Sequence, residues 1–170
     1  MKQLQYIQRS TVYLLFTLMM VACSSSKMTV DPLKWNSIQQ ILIQQDYRIQ
    51  VREMIPMQGK SWHLSTEYFI AVRGDSVFSH LPYSGRAYTA PLSRDNVFTF
   101  KAPLLSYESN ITKKESISAT FRTRTFNDTF TFYVDVYPNG SASVRVSAIN
   151  RQGVTYLGTL IDNKEKTEEE

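Results

Sequence analysis

The sequence predicts a mainly β fold: about eight antiparallel strands forming a meander, a sandwich or an open barrel, with one N-terminal α-helix. Three observations lead there. From Tyr47 onward, apolar and polar residues alternate with period two, as in strands with one buried face. Turn residues interrupt that alternation at hairpin spacing, at Gly74-Asp75, Asn127-Asp128 and Pro138-Asn139-Gly140. One stretch ahead of Tyr47 carries a helical period instead.

That helix opens at Asp31-Pro32, a carboxylate N-cap followed by proline at the first helical position. Trp35, Ile38, Ile41 and Leu42 recur along one face, with Asn36, Gln39, Gln40 and Gln44 between them, and the pattern runs to about Gln45. A glutamine-rich polar face, poor in lysine, fits a helix packed on a sheet rather than one lying on a membrane.

In the strands, Tyr47, Ile49 and Val51 share a face, and Leu64, Tyr68, Ile70 and Val72 share the next, ending at Gly74-Asp75. Val77-Phe78 begins another strand, Phe98 and Phe100 mark one after the Ser93–Asn96 loop, and Ile117, Ala119 and Phe121 mark the next. A two-residue turn at Asn127-Asp128 sets Phe121 opposite Val134 and Arg122 opposite Tyr133. At the following turn, a two-residue Asn139-Gly140 loop would set Val136 against Ser143 and mix the two faces. A three-residue loop with Gly140 left-handed pairs Val136 with Ala142, Val134 with Val144 and Phe132 with Val146, and this register is expected. The opposite face then carries a row of Arg122, Tyr133 and Arg145. The row is either a solvated outer face with cation–π contacts or a surface for an anionic ligand or partner. A last strand around Val154–Ile161 closes the domain.

The chain divides into a leader (1–22), a tether (23–30), a single β-rich domain (31–162) and a charged tail (163–170). Lys2 and Arg9 precede an apolar run from about Val12 to Ala22, shorter than the ~20 residues that span a bilayer. Met20-Val21-Ala22 leads into Cys23, the single cysteine, and Ser24-Ser25-Ser26 follows. This arrangement resembles a bacterial lipoprotein signal. The resemblance implies cleavage before Cys23, lipid on its thiol, and attachment to a membrane through that lipid. The expected location is the bacterial cell envelope, as an outer-membrane lipoprotein facing the periplasm or the cell surface. A lone cysteine excludes an internal disulfide. The formal charge of +4 includes Lys2 and Arg9, so the domain itself is too weakly basic to point to nucleic acid.

His80-Leu81-Pro82-Tyr83-Ser84-Gly85-Arg86-Ala87-Tyr88 is the most unusual stretch of the domain. Pro82 and Gly85 together read as a bulge or sharp bend between strands. Tyr83 and Tyr88 can bury their rings and keep their hydroxyls wet, and Arg86 can stack on one of them or pair with a carboxylate. Tyr83, Arg86 and Tyr88 are therefore candidate binding residues, beside Arg122, Tyr133 and Arg145. With Leu81-Pro82-Tyr83 and Gly85-Arg86-Ala87-Tyr88 in place, the chain resembles a family of small secreted or lipid-anchored bacterial domains of unknown function. That family is marked by Leu-Pro-Tyr, one residue, then Gly-Arg-Ala-Tyr. Its middle position is often aromatic, and here it is Ser84. The likeness extends over roughly Ile38 to Ile161, through the Asn139-Gly140 hairpin to Tyr156-x-Gly158. It implies a fold and a location, not an activity.

No catalytic set, metal site or cofactor motif stands out. His63 and His80 are the two histidines, without zinc-ligand spacing around them. There is no nucleophile elbow and no phosphate-binding glycine loop. Glu53, Glu67, Glu108 and Glu115 are scattered, and nothing selects a pair. Asp75-Ser76-Val77 fits a short bacterial O-glycosylation pattern at Ser76, although a plain Gly74-Asp75 turn is the favoured reading. The function read from the sequence is an envelope binding or accessory module for a protein, glycan or lipid-like ligand. The alternative is a hydrolase of an envelope polymer, and whether the chain is an enzyme stays open.

Overall fold

The computed structural model describes residues 31–65, 67–88, 97–111 and 116–162, the side chain of Val97 excepted. Helix α1 (Pro32–Gln44) starts as its sequence dictates, with the Asp31 carboxylate accepting from the Leu33 N–H at 3.0 Å. It ends at Gln45, whose φ of 55° is left-handed and whose N–H closes onto the Ile41 and Leu42 carbonyls. Among the described residues nine strands follow: β1 (Asp46–Pro56), β2 (Trp62–His63), β3 (Phe69–Arg73), β4 (Ser76–Pro82), β5 (Val97–Ile111), β6 (Ile117–Arg124), β7 (Thr129–Val136), β8 (Ser141–Ala148) and β9 (Val154–Asp162).

All pairings are antiparallel and mostly sequential, and β9 returns to pair with β1 along its length, from Tyr47↔Asp162 to Pro56↔Val154. Eight strands thus close into an up-and-down barrel, with β2 as a short addition on the free side of β1. Of the arrangements open to the sequence, the meander is realised and the barrel is closed. Closure depends on Gly158, opposite Val51 where the β1–β9 register shifts. A Cβ there would run into the Gln50 carbonyl oxygen, and lie 3.1 Å from Val51 Cα, so only glycine lets the two strands approach.

Eight strands enclose a space that side chains can fill. Here a chain of rings runs through it. Tyr83 packs on Phe98 (4.5 Å between centroids), Phe98 on Phe130 (5.2 Å), Phe130 on Phe132 (6.3 Å), Phe132 on Phe121 (4.9 Å) and Phe121 on Tyr107 (6.0 Å). Ile49, Val51, Ile70, Val72, Val134 and Val144 pack around them.

The helix caps one end. Ile38 and Leu42 are buried, and Trp35 and Ile41 are partly so. Each fully buried apolar side chain contributes roughly 1.5–3 kcal/mol. Polar ties fix the helix over the strand turns. Lys34 Nζ donates to the Asn139 carbonyl (3.3 Å), the Tyr107 hydroxyl to the Leu42 carbonyl (2.9 Å), and the Gly74 N–H to the Gln45 carbonyl (3.0 Å). The other end, the mouth, carries the β4–β5, β6–β7 and β8–β9 connections and the end of β1.

The β7–β8 register is the expected one, with Gly140 at a φ of 85°. The β6–β7 register is not. Phe121 faces Phe132, Arg122 faces Thr131, and Tyr133 faces Thr120. The turn has four residues, Thr125–Asp128, closed by the Thr125 N–H on the Asp128 carbonyl (2.9 Å). The pairing moves by two residues, which keeps every side chain on its predicted face while changing its partner.

Candidate functional site at the barrel mouth

The motif segment leaves β4 at Pro82 and crosses the mouth to lie against the β8–β9 connection. Ala87 and Arg151 form an antiparallel bridge. The Tyr88 N–H donates to the Asn150 carbonyl (2.8 Å), the Gln152 N–H to the Arg86 carbonyl (2.9 Å), and the Arg86 N–H to Gln152 Oε1 (3.3 Å). The Tyr83 ring turns inward, 6% exposed, and its hydroxyl donates to the Arg86 carbonyl at 2.9 Å. Gly85 is explained by that ring: a Cβ on it would sit 2.6 Å from the Tyr83 hydroxyl oxygen. From β9, the Tyr156 hydroxyl spans the interior to the Pro82 carbonyl (2.7 Å).

Asp128 ties the remaining connections together. It is buried, and its Oδ1 accepts from the N–H groups of Thr129 (2.8 Å), Ile149 (3.1 Å) and Asn150 (3.3 Å). Asn150 Nδ2 adds a bond to the Asn127 carbonyl (3.3 Å). Three N–H donors satisfy Oδ1, while Oδ2 is buried without a hydrogen-bond partner among the described residues. The Arg151 guanidinium lies 5.6 Å from the Tyr83 ring centroid and 5.4 Å from that of Phe98. Burial raises the Tyr83 phenol above its ordinary pKa, opposed by the Gln152 backbone and the Arg151 charge. Burial also pushes the Tyr156 phenol far up.

This frame holds several side chains in water. Phe126, at the tip of the β6–β7 turn, is 96% exposed. Ile149 is 69% and Tyr88 66% exposed. The Arg86 and Arg124 side chains are exposed nearby. The mouth therefore presents apolar tips and cations on loops that are bonded to one another.

The six candidate binding residues fall into two groups. Tyr83, Arg86 and Tyr88 meet at the mouth, with Tyr83 acting as an inner post for the other two. Arg122, Tyr133 and Arg145 lie on the outer wall. Arg145 stands 4.8 Å from the Tyr133 ring centroid, whereas Arg122 is displaced by two residues, so the row is broken. It is Arg151, not Arg86, that lies over the motif tyrosine. Sequence reasoning missed Arg151, Asp128 and Phe126, which only the turn pairing brings to the motif. Ser76 opens β4, half-buried, with its hydroxyl on Asp75 Oδ1 (2.8 Å). Cys23 lies outside the described residues.

Of the hydrolase candidates, His80 and Glu108 lie far apart. His80 bonds Thr99 (2.9 Å) and stacks on Tyr68 (5.2 Å) on the outer wall. Glu108 lies further along the strand that carries Thr99, at roughly 3.3 Å per residue a separation of about 30 Å. Among the described residues, no three metal-ligating side chains cluster.

A family model described as "Domain of unknown function (DUF4251)" matches residues 31–160. Among solved structures, the crystal structure of a DUF4251 family protein from Bacteroides eggerthii DSM 20697 is similar to this chain, with a TM-score of 0.62 and 12% identity. The match covers 79% of this chain and 91% of that one. At that identity it speaks for the fold alone. A search of curated proteins finds no match.

Proposed function

The chain belongs to the DUF4251 family, and on that footing we propose that it is a lipid-anchored protein of the bacterial cell envelope whose barrel mouth binds a partner. The anchor rests on the sequence, on the basic and apolar leader running into Cys23 and the serines behind it. The orientation follows from where the tether joins. Residues Ser24–Val30 lead into α1, at the capped end, and reach at most about 25 Å when extended. Barrel and helix together stand roughly 30 Å high. A domain tethered this way cannot lay its mouth flat on the bilayer that holds it.

The observation that carries the binding reading is the trio of Phe126, Ile149 and Tyr88, exposed on loops locked together by Asp128 and the Ala87–Arg151 bridge. Their apolar surface and the neighbouring arginines fit a partner that offers both apolar and acidic groups. The hydrolase alternative has no comparable observation behind it.

The test is the intact mass of the protein extracted from native membranes, first gently and then denatured. A denatured mass that begins at Cys23 and carries acyl chains is expected, and the mass of the whole unmodified chain would overturn the anchor. Extra mass retained only under gentle conditions, and lost with Phe126→Ala and Tyr88→Ala together, is the expected sign of a ligand at the mouth. Retention unaffected by those substitutions would overturn the mouth as the binding surface.

A further inference from the structure

β5 is about twice as long as the strands beside it. Its first half pairs with β4 up to Ser76↔Pro103, and the Leu104 N–H reaches the Asp75 carbonyl at 2.7 Å. There β4 turns away. From Leu105 to Ile111, β5 pairs with β6 on one side, and among the described residues nothing pairs with its other side. Main-chain groups alternate in direction along a strand, so about half of those in this stretch point to the open edge.

β1 has a similar overhang beyond Gln50, where β3 ends, and there the chain seals it. The Val51 N–H donates to the Tyr68 carbonyl (2.9 Å), the Leu64 N–H to the Arg52 carbonyl (2.9 Å), and β2 pairs with Glu53 and Met54. The β5 edge also lacks the usual guards. Leu105–Ile111 contains no lysine and no proline, Glu108 is its one charge, and Leu105 and Ile111 are exposed. The register shift between Leu104 and Ser106 lies at its start, leaving Ser106–Ile111 in unbroken register. Beside it, Gln45, Gly74, Asp75 and Leu104 line an open notch that leaves room for an approaching chain.

We propose that a second copy of the chain docks here, antiparallel, joining the two β5 edges into one continuous sheet. Two-fold pairing places one residue opposite its own copy, and this narrows the register near the centre of the stretch. With Glu108 on the axis, two carboxylates would oppose each other. With Tyr107 there, the pairing would run into the irregular Leu105. With Ser109 on the axis, Glu108 faces Asn110 of the second copy and Tyr107 faces Ile111, an aromatic–β-branched pair of the kind that stabilises sheets.

The experiment uses the full chain in detergent and rests on the proposed lipidation of Cys23, checked first by intact mass, to leave an introduced cysteine the single free thiol. Ser109→Cys is expected to give a disulfide-linked dimer on mild oxidation. Glu108→Cys and Asn110→Cys are each expected to stay monomeric alone and to link when mixed with one another. In sedimentation, Asn110→Glu sets carboxylates opposite each other twice per dimer and should weaken association at least tenfold, while adding Glu108→Lys should restore it. Equal linking from all three cysteine positions, or a wild-type protein monomeric at tens of micromolar that does not link through Ser109→Cys, would overturn the proposal.

Discussion

At the helix-capped end of the barrel the strand turns are covered, and at the mouth they are bonded to each other and left in water. The capped end gains its order from buried apolar area, with Ile38 and Leu42 set beneath α1 and few polar ties. The mouth gains its order from hydrogen bonds: Asp128 to three backbone donors, Tyr83 to Arg86, and Tyr156 to Pro82. The difference teaches that apolar side chains serve the two ends differently. Under the helix they hold the fold, and at the mouth Phe126, Ile149 and Tyr88 stand largely in water.

The largest effect belongs to neither end. Gly158→Ala pushes a methyl into the Gln50 carbonyl at the closing seam and should cost about 3 kcal/mol or more, read in denaturant melts as a loss of stability shared by both ends. Leu42→Ala at the capped end should cost about 3 kcal/mol, with hydrogen exchange quickening first around Gly74 and Gly140. At the mouth, Asp128→Ala removes the acceptor shared by three N–H donors, of which Ile149 keeps the Thr129 carbonyl (3.3 Å), and should cost about 2 kcal/mol, with the amide of Asn150 losing protection before those of the capped end. Phe126→Ala should change stability by no more than about 0.5 kcal/mol in the same melts. A larger cost would mean that Phe126 serves the fold, and the contrast between the ends would fail.

Alkali tests both ends together. Burial raises the phenols of Tyr47 and Tyr107 near the helix, and of Tyr83 and Tyr156 near the mouth, above the ordinary value of 10.0. Below pH 10 the folded and unfolded chains carry the same phenol protons, so these groups leave stability unchanged. Above it the unfolded chain releases protons that the fold retains, and stability falls as pH rises toward the folded values. Phenolate absorbance from these four tyrosines should therefore appear with unfolding, and its appearance in a chain still folded would contradict their burial.

Where the sequence spoke clearly, the information was local. Asp31-Pro32 and the Trp35–Leu42 spacing defined α1, and Gly140 with the alternation of Phe132, Val134 and Val136 defined the β7–β8 hairpin, register included. The β6–β7 register was missed because Asp128 is held by amides some twenty residues further on, which no local pattern reports. Barrel closure escaped for the same reason, since Gly158 is needed only once β1 lies beside it. The Leu81–Tyr88 motif stood out at once, yet its division of labour depended on Asn150, Arg151 and Gln152. Tyr83 reads from the sequence as a candidate binding residue, and in the fold its hydroxyl props the Arg86 carbonyl from within.

Site-specific photo-crosslinking in native membranes tests the central claim most directly. A crosslinking residue would be placed at 126 or 88 on the mouth, and at 33 or 43 on the exposed side of α1, with yields compared. The account predicts one adduct species shared by positions 126 and 88 and absent from 33 and 43. Adducts formed equally at all four positions, or at the helix alone, would contradict it.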